Sequence, residues 1–180
     1  MTAENAASAA SAETPPTAPN AVPASSHALC EQRWFEDFHI GERFPLPSRT
    51  ITEALFAAFQ LASGDNHPSH YDVEYCRAHG GPGLLAHGFQ VLIQTAAGAG
   101  LWPHMVEDSM KGFIEQRSRF LEPVYAGDTL RCLLEVSELV PGRTTGVLAM
   151  RSTVHNQRGE LVMDGEQRYL LKRRTPLAAG

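Results

Sequence analysis

Between Gly88 and Leu101 nearly every residue is apolar or small. A stretch that is apolar on all sides cannot lie on a surface, so it reads as a long helix buried all round. Ala96, Ala97, Gly98, Ala99 and Gly100 leave room for close backbone approach. The material that encloses this helix follows it. Strand-like runs at Gly112–Leu121, Thr129–Val140, Arg143–Asn156 and Glu160–Leu171 are separated by Ala126-Gly127-Asp128, Pro141-Gly142 and Asn156-Gln157-Arg158-Gly159, which read as turns and hairpins. One buried helix followed by antiparallel strands is an α+β layout, in which the sheet curls its apolar face over the helix. No internal repeat is present.

The half of the chain before this helix is punctuated differently. Trp34–Phe44 mixes aromatics with a turn at Gly41 and leads into a first strand over Phe44–Ile51. Thr52 is a fair N-cap, and Leu55, Phe56, Phe59 and Leu61 repeat at helical spacing until Gly64 stops them. Pro68 forbids a regular helix over Asp65–His70 and pushes His67 toward an extended conformation, so this segment is a shaped loop. Asp72 then caps a second short helix that ends at Gly80, before the turn Gly81-Pro82-Gly83.

A chain of 180 residues fits one domain, placed at residues 31–175. Residues 1–30 are Ala, Ser, Thr and Pro with few aliphatic side chains, so they read as a disordered tail, and 176–180 as a short C-terminal one. Glu4, Glu13 and repeated prolines stand where a secretory signal needs a basic start and an apolar run. The longest apolar stretch is interrupted by Gln90, Gln94 and Thr95, which argues against a membrane span. Cys30, Cys76 and Cys132 are odd in number and lack CxxC spacing, arguing against a disulfide framework or a zinc site and for a reducing cytoplasm. With net charge −5 and only Lys172-Arg173-Arg174 as a basic run, nucleic acid is not the expected partner.

Chemistry concentrates at Ser63-Gly64-Asp65-Asn66-His67-Pro68-Ser69-His70-Tyr71-Asp72 and, twelve residues on, at Leu84-Leu85-Ala86-His87-Gly88. A helix would point residues five apart in different directions, but a loop bent at Pro68 can aim the Asp65 carboxylate and the His70 imidazole at one spot. Adding water across a conjugated double bond needs a group that takes a proton from water and one that delivers a proton to the carbon beside the carbonyl. An Asp and a His can share that work. Negative charge then builds on the thioester oxygen, and the Gly88 N–H at a helix start is suited to hold it.

At these residues the chain resembles a known family. Ser-Gly-Asp, four residues including a Pro, then His, followed by a small residue-His-Gly heading an apolar helix, is similar to the MaoC-like dehydratases and (R)-specific enoyl-CoA hydratases. Phe120-Leu121-Glu122-Pro123-Val124-Tyr125-Ala126-Gly127-Asp128 likewise resembles a strand-to-strand turn of these hot-dog proteins. The resemblance runs over about residues 35–173 and implies a hot-dog fold, an antiparallel sheet wrapped around the long central helix, usually as a homodimer. It further implies a lyase acting reversibly on an enoyl-CoA or 3-hydroxyacyl-CoA thioester, with Asp65 and His70 as the catalytic pair and Gly88 N–H as oxyanion donor. No metal or redox cofactor is implied, coenzyme A entering only as part of the substrate. His67 and Ser69 depart from the family pattern, which commonly has Asn and an aliphatic residue there.

Each residue also has a plainer reading. Asp65 can cap or turn the chain, His70 can steady a loop, and Gly88 can be small only to let chains pass. His87 can pack and bond a backbone carbonyl. His67, Tyr71, His87, Phe89 and Gln90 are the candidate substrate-binding residues, with aromatic packing as the competing role for Tyr71 and Phe89. His67, His70, Asp65, Asp72 and His79 also make a metal-capable set, though without the helical His-Glu-x-x-His geometry. Arg117, Arg119 and Lys172–Arg174 could meet coenzyme A phosphates or be solvated strand ends. A hot-dog thioesterase and a non-catalytic acyl-CoA-binding protein are the alternatives in function.

Overall fold

The structure is a computed structural model that describes residues 29–175. The tail expected over residues 1–30 lies outside the described residues except for its last two positions, and the one over 176–180 lies outside them altogether.

Six strands form one antiparallel system: β1 (Arg43–Pro45), β2 (Arg49–Thr50), β3 (Met110–Phe120), β4 (Thr129–Pro141), β5 (Thr145–His155) and β6 (Leu161–Lys172). Their order is β1-β4-β5-β6-β3, with β2 also paired to β4. The long strands arise from period-two patterning. Leu130, Cys132, Leu134 and Val136 of β4 and Leu148, Met150 and Val154 of β5 are buried on one face, whereas Arg131, Arg151 and Glu135 look outward. The single first strand expected over Phe44–Ile51 is instead two short pieces. Pro45 and Pro47 flank Leu46, and a proline has no N–H to give the ladder.

The helical segments pack on the buried face. Helix α1 (Glu53–Ser63) starts at Thr52, whose side chain accepts from Leu55 N–H, and stops at Gly64 in the left-handed conformation at φ 73°. Helix α2 (Val73–Ala78) starts at Asp72, whose carboxylate accepts from Tyr75 N–H at 2.9 Å. Both caps lie where the sequence puts them.

The central helix is shorter and less enclosed than expected. The chain forms α3 (Gly88–Leu92), two three-residue 3-10 turns at Ile93–Thr95 and Ala97–Ala99, and α4 (Trp102–Met105). The break falls at Ala96, whose ψ of 115° leaves the helical region. Thr95 supplies the reason. Its carbonyl accepts from the buried Gln167 Nε2 of β6 at 3.0 Å, and its hydroxyl takes the same donor at 2.8 Å, so the sheet takes up the carbonyl that a helix would use internally. Gly98 and Gly100 each cost a helix about 1 kcal/mol relative to Ala. Nor is the segment buried all round, because Phe89, Ile93 and Leu101 are more than half exposed while Gln90, Val91, Ala97 and Trp102 face the core.

The two ends of the described chain clasp each other. Arg33 forms an ion pair with Glu42 at 2.6 Å and lies over the Phe38 ring, while Arg173 and Arg174 bond Glu36 and Asp37. Burial alone would raise the Glu42 carboxyl, but the Arg33 guanidinium and the neighbouring His39 outweigh it and hold it below the usual carboxylate range. A depressed carboxylate contributes stability above its unfolded pKa and loses it as pH falls through the folded one. Arg33→Ala is therefore expected to lower stability by on the order of 1 kcal/mol at pH 7. Urea unfolding should show that deficit shrinking below about pH 4, once Glu42 is protonated in both states.

A tighter constraint lies in β6. A Cβ built on Gly165 would sit 2.5 Å from the Arg117 carbonyl oxygen of β3 and 3.0 Å from Ser152 Oγ. Gly165→Ala has to part the β3–β6 pairing, and a loss of about 1–3 kcal/mol in the same assay is expected.

Candidate active site

An extended tripeptide, Leu84–Ala86, organises the site. On one edge Ala86 N–H donates to Val124 O at 2.8 Å and Ala126 N–H donates to Leu84 O at 3.0 Å. On the other edge Leu85 N–H donates to Ser69 O at 3.0 Å, and the Leu85 carbonyl accepts from His70 Nδ1 at 2.6 Å. Since a carbonyl only accepts, Nδ1 carries the His70 proton and Nε2 is left free for a neutral ring. The turn that carries His70 spans Pro68–His70 and is capped by His67, whose Nδ1 accepts from Ser69 N–H. Cys76 Sγ of α2 adds a bond to the same Ser69 carbonyl at 3.3 Å.

Asp65 follows the Gly64 helix stop, with its N–H bonded to Ser63 Oγ at 3.2 Å. No hydrogen bond holds its exposed carboxylate among the described residues. One ligating atom each of Asp65, His70 and His87 lies within 4.8 Å of the others. The His70 and His87 rings are stacked, with centroids 3.6 Å apart and planes 21° from parallel. Directly after His87, Gly88 opens α3, and no acceptor occupies its N–H among the described residues. With five residues α3 carries little dipole, so the backbone donor itself is what the site offers. A Cβ on Gly88 would come within 3.2 Å of the Phe120 ring, so the absence of a side chain keeps this approach open.

The three residues have metal-ligating types, but their geometry does not suit an ion. A metal bound by two imidazoles lies in both ring planes, whereas the planes of rings stacked this closely to parallel do not meet near them. His87 also has both nitrogens engaged, Nε2 with the Asp65 carbonyl at 3.0 Å and Nδ1 with Gln90 Oε1 at 3.2 Å.

The family described as MaoC like domain matches residues 37–157, which is more than half of the chain. The chain belongs to the MaoC-like family. It is similar to the 3-hydroxybutyryl-CoA dehydratase of Methylorubrum extorquens, at 28% identity over 74% of this chain and 80% of that protein. It is 26% identical to the (R)-specific enoyl-CoA hydratase of Rhodospirillum rubrum over 78% of this chain and 93% of the relative. With protein MaoC of Klebsiella aerogenes identity is 33% over 57% of this chain, but the match spans only 30% of that longer protein. Among solved structures, a monoamine oxidase regulatory protein of Archaeoglobus fulgidus aligns with TM-score 0.74 at 30% identity, covering 80% of this chain and 97% of that one. A double-hotdog protein of Mycobacterium tuberculosis aligns at TM-score 0.67 and 28% identity, over 83% of this chain and 47% of the other. The hot-dog fold and the hydratase and dehydratase relationship at family level follow.

Within this MaoC-like site the sequence candidates separate by burial. Asp65, His67, Tyr71, Gly88 and Phe89 are exposed, His70 is half-buried, and His87 and Gln90 are enclosed at 3% and 1% exposure. Tyr71 and Phe89 are open to solvent at 52% and 68% and are not core packing. Gln94 bonds the Gln90 carbonyl instead of reaching outward. The basic candidates are largely taken up by neighbours. Arg117 pairs with Glu115, Arg119 lies 3.7 Å from Asp164, Lys172 bonds the Asp108 carbonyl, and Arg173 and Arg174 belong to the terminal clasp. Sequence reading missed two contributors. One is the Leu85 carbonyl, since a backbone acceptor leaves no trace in residue type. The other is Phe59, whose ring stands 4.8 Å from His87, and only its place in the α1 apolar stripe pointed inward.

If the stacked imidazoles are unsuited to a shared ion, zinc should bind weakly. A competition assay with a chromogenic zinc chelator is expected to show no transfer of zinc to the protein at micromolar concentration; stoichiometric capture abolished by His70→Ala would contradict the geometry.

Proposed function

We propose that this MaoC-like protein reversibly hydrates a 2-enoyl-CoA to a 3-hydroxyacyl-CoA. The observation that carries the reading is the convergence of an unpartnered Asp65 carboxylate and an oriented His70, beside an open Gly88 N–H. Water held between Asp65 and His70 adds its oxygen to C3 of the enoyl group and gives a proton to one of the pair. Electrons shift onto the thioester oxygen, where Gly88 N–H stabilises the enolate. The proton taken from that water is then passed through the pair to C2, so that one water adds across the double bond and the thioester bond stays intact. Coenzyme A takes part as the carrier of the substrate, and no further cofactor is needed for this step.

His67, Tyr71 and Phe89 are exposed and close in sequence to His70 and Gly88, and we assign them to contact with the substrate. Leu92 lies four residues beyond Gly88, about 6 Å along a helix axis, and borders a groove of about 420 Å³ with Ile93, Trp102, Phe113 and Tyr169. Among the described residues no charged side chain lines this groove, and its Gln167 and Thr95 are bonded to each other. An uncharged hydrocarbon tail suits it better than a dicarboxylic one. Burial pushes the Tyr169 hydroxyl up to about 12, so that wall stays neutral at working pH.

The assembly proposed is a homodimer. Strand β3 is the end of the sheet, and Phe113, Ile114 and Phe120 on it are about half exposed, as is Ile93 beside them. An open edge flanked by apolar side chains is a surface that soluble proteins cover. Light scattering should give twice the mass of the chain, and Ile114→Lys should shift it toward the monomer.

Crotonyl-CoA and longer straight 2-enoyl-CoAs are expected to lose their conjugated absorbance in the presence of the protein, without release of free thiol. Asp65→Asn should lower kcat by about 10²-fold or more. Unchanged turnover in that variant overturns the assignment of the pair, and release of free thiol would favour a thioesterase.

A further inference from the structure

We propose that His87 and Gln90 are positioning residues, a buried relay that holds the Asp65 backbone and the His70 ring in register without touching substrate. This inference rests on the hydration reading of the site and adds how its geometry is kept.

Among the described residues, His87 is the one side chain seen to engage both members of the pair. Its Nε2 lies 3.0 Å from the Asp65 carbonyl oxygen, and its ring stacks on His70. Phe59 at 4.8 Å and Phe56 at 6.3 Å also pack against the ring. The ring is only 3% exposed, so its orientation is fixed by protein alone. This matters because the Asp65 carboxylate has no hydrogen bond of its own among the described residues. Where it points therefore depends on its backbone, and that backbone is tied to the protein through Ser63 Oγ and His87 Nε2.

The tautomer of His87 follows from its partners. Asp65 C=O can only accept, so Nε2 carries a proton. A neutral ring with its proton on Nε2 presents a lone pair at Nδ1 and needs a donor there. Gln90 supplies it. With Gln90 Oε1 at 3.2 Å from Nδ1, its Nε2 is buried without any partner. The two ends of a carboxamide are the same size, and a half-turn places the NH2 on Nδ1. That half-turn gives the orphaned donor an acceptor and leaves a carbonyl oxygen in its place, the less costly group to bury unpaired. Gln90, enclosed at 1% exposure and four residues from the Gln94 side chain that bonds its carbonyl, thereby keeps the His87 proton on the side of Asp65.

Without the Gln90 donor the proton is free to move to Nδ1. The Nε2 lone pair then faces the Asp65 carbonyl oxygen, two acceptors repel, and the loop carrying the carboxylate shifts. A small misplacement of a reacting group costs turnover more than binding.

Long-range proton–nitrogen NMR on the nitrogen-15-labelled full chain reads the tautomer with no substrate present, so it stands or falls separately from the hydration reading. In the neutral ring of His87 the proton is expected on Nε2. A neutral ring with its proton on Nδ1 overturns the relay. Gln90→Met keeps volume and removes the donor. It is expected to reduce kcat about tenfold with KM changed less than about twofold, a melting temperature within a few degrees of the parent, and a mixed His87 tautomer by NMR. A Gln90→Met protein with parental kcat, or one that retains the pure Nε2–H form, overturns it as well. Should Gln90→Met fail to fold, the tautomer in the unaltered protein still decides. Should no enoyl thioester be hydrated by the unaltered protein, the proposed function fails while the NMR outcome still tests the relay.

Discussion

Leu84–Ala86 is bonded along both of its edges, and the site depends on that. One edge joins it to the Val124–Ala126 turn between β3 and β4, and the other to the loop that carries His70. Three peptide units thus bind the sheet to the loop and set the point from which His87 and Gly88 project. A chain lacking this bridge could hold the same residues and leave Asp65, His70 and Gly88 unrelated in space. Each bond contributes about 1 kcal/mol net, so the bridge works by specifying position more than by adding stability.

Two stacking levels follow from it. The Leu85 carbonyl turns the His70 ring, and the His70 ring lies on His87, which in turn packs against Phe59 and Phe56 of α1. The groups proposed to react are therefore backed by buried aromatic rings. Such a rigid hidden layer is what precise placement of acid–base groups requires. It also explains how an exposed loop interrupted by a proline can serve chemistry, because its position is determined from beneath.

Much of this was legible in the residues. Thr52 and Asp72 begin the helices they were expected to begin, the four long strands lie within two residues of their expected ends, and the Pro68 bend does bring Asp65 and His70 together. Local rules decide such features. The misreadings were non-local. Nothing near Thr95 announces that Gln167, seventy-two positions away, will take its carbonyl and end the central helix early. Apolar composition over Gly88–Leu101 suggested enclosure on every side, yet the sheet covers one side only and leaves Phe89 and Ile93 in the open. His87 and Gln90, offered as substrate contacts, are enclosed and in contact with each other, a burial that residue type does not reveal.

The central claim is that water adds to carbon with the thioester left intact. Turnover of a straight-chain 2-enoyl-CoA in oxygen-18 water, followed by mass spectrometry, tests it most directly. The account predicts one heavy oxygen in the hydroxyl group of an intact 3-hydroxyacyl-CoA, formed by the parent protein and absent with Asp65→Asn. Heavy oxygen found in a free carboxylic acid, with the double bond unchanged, would contradict it.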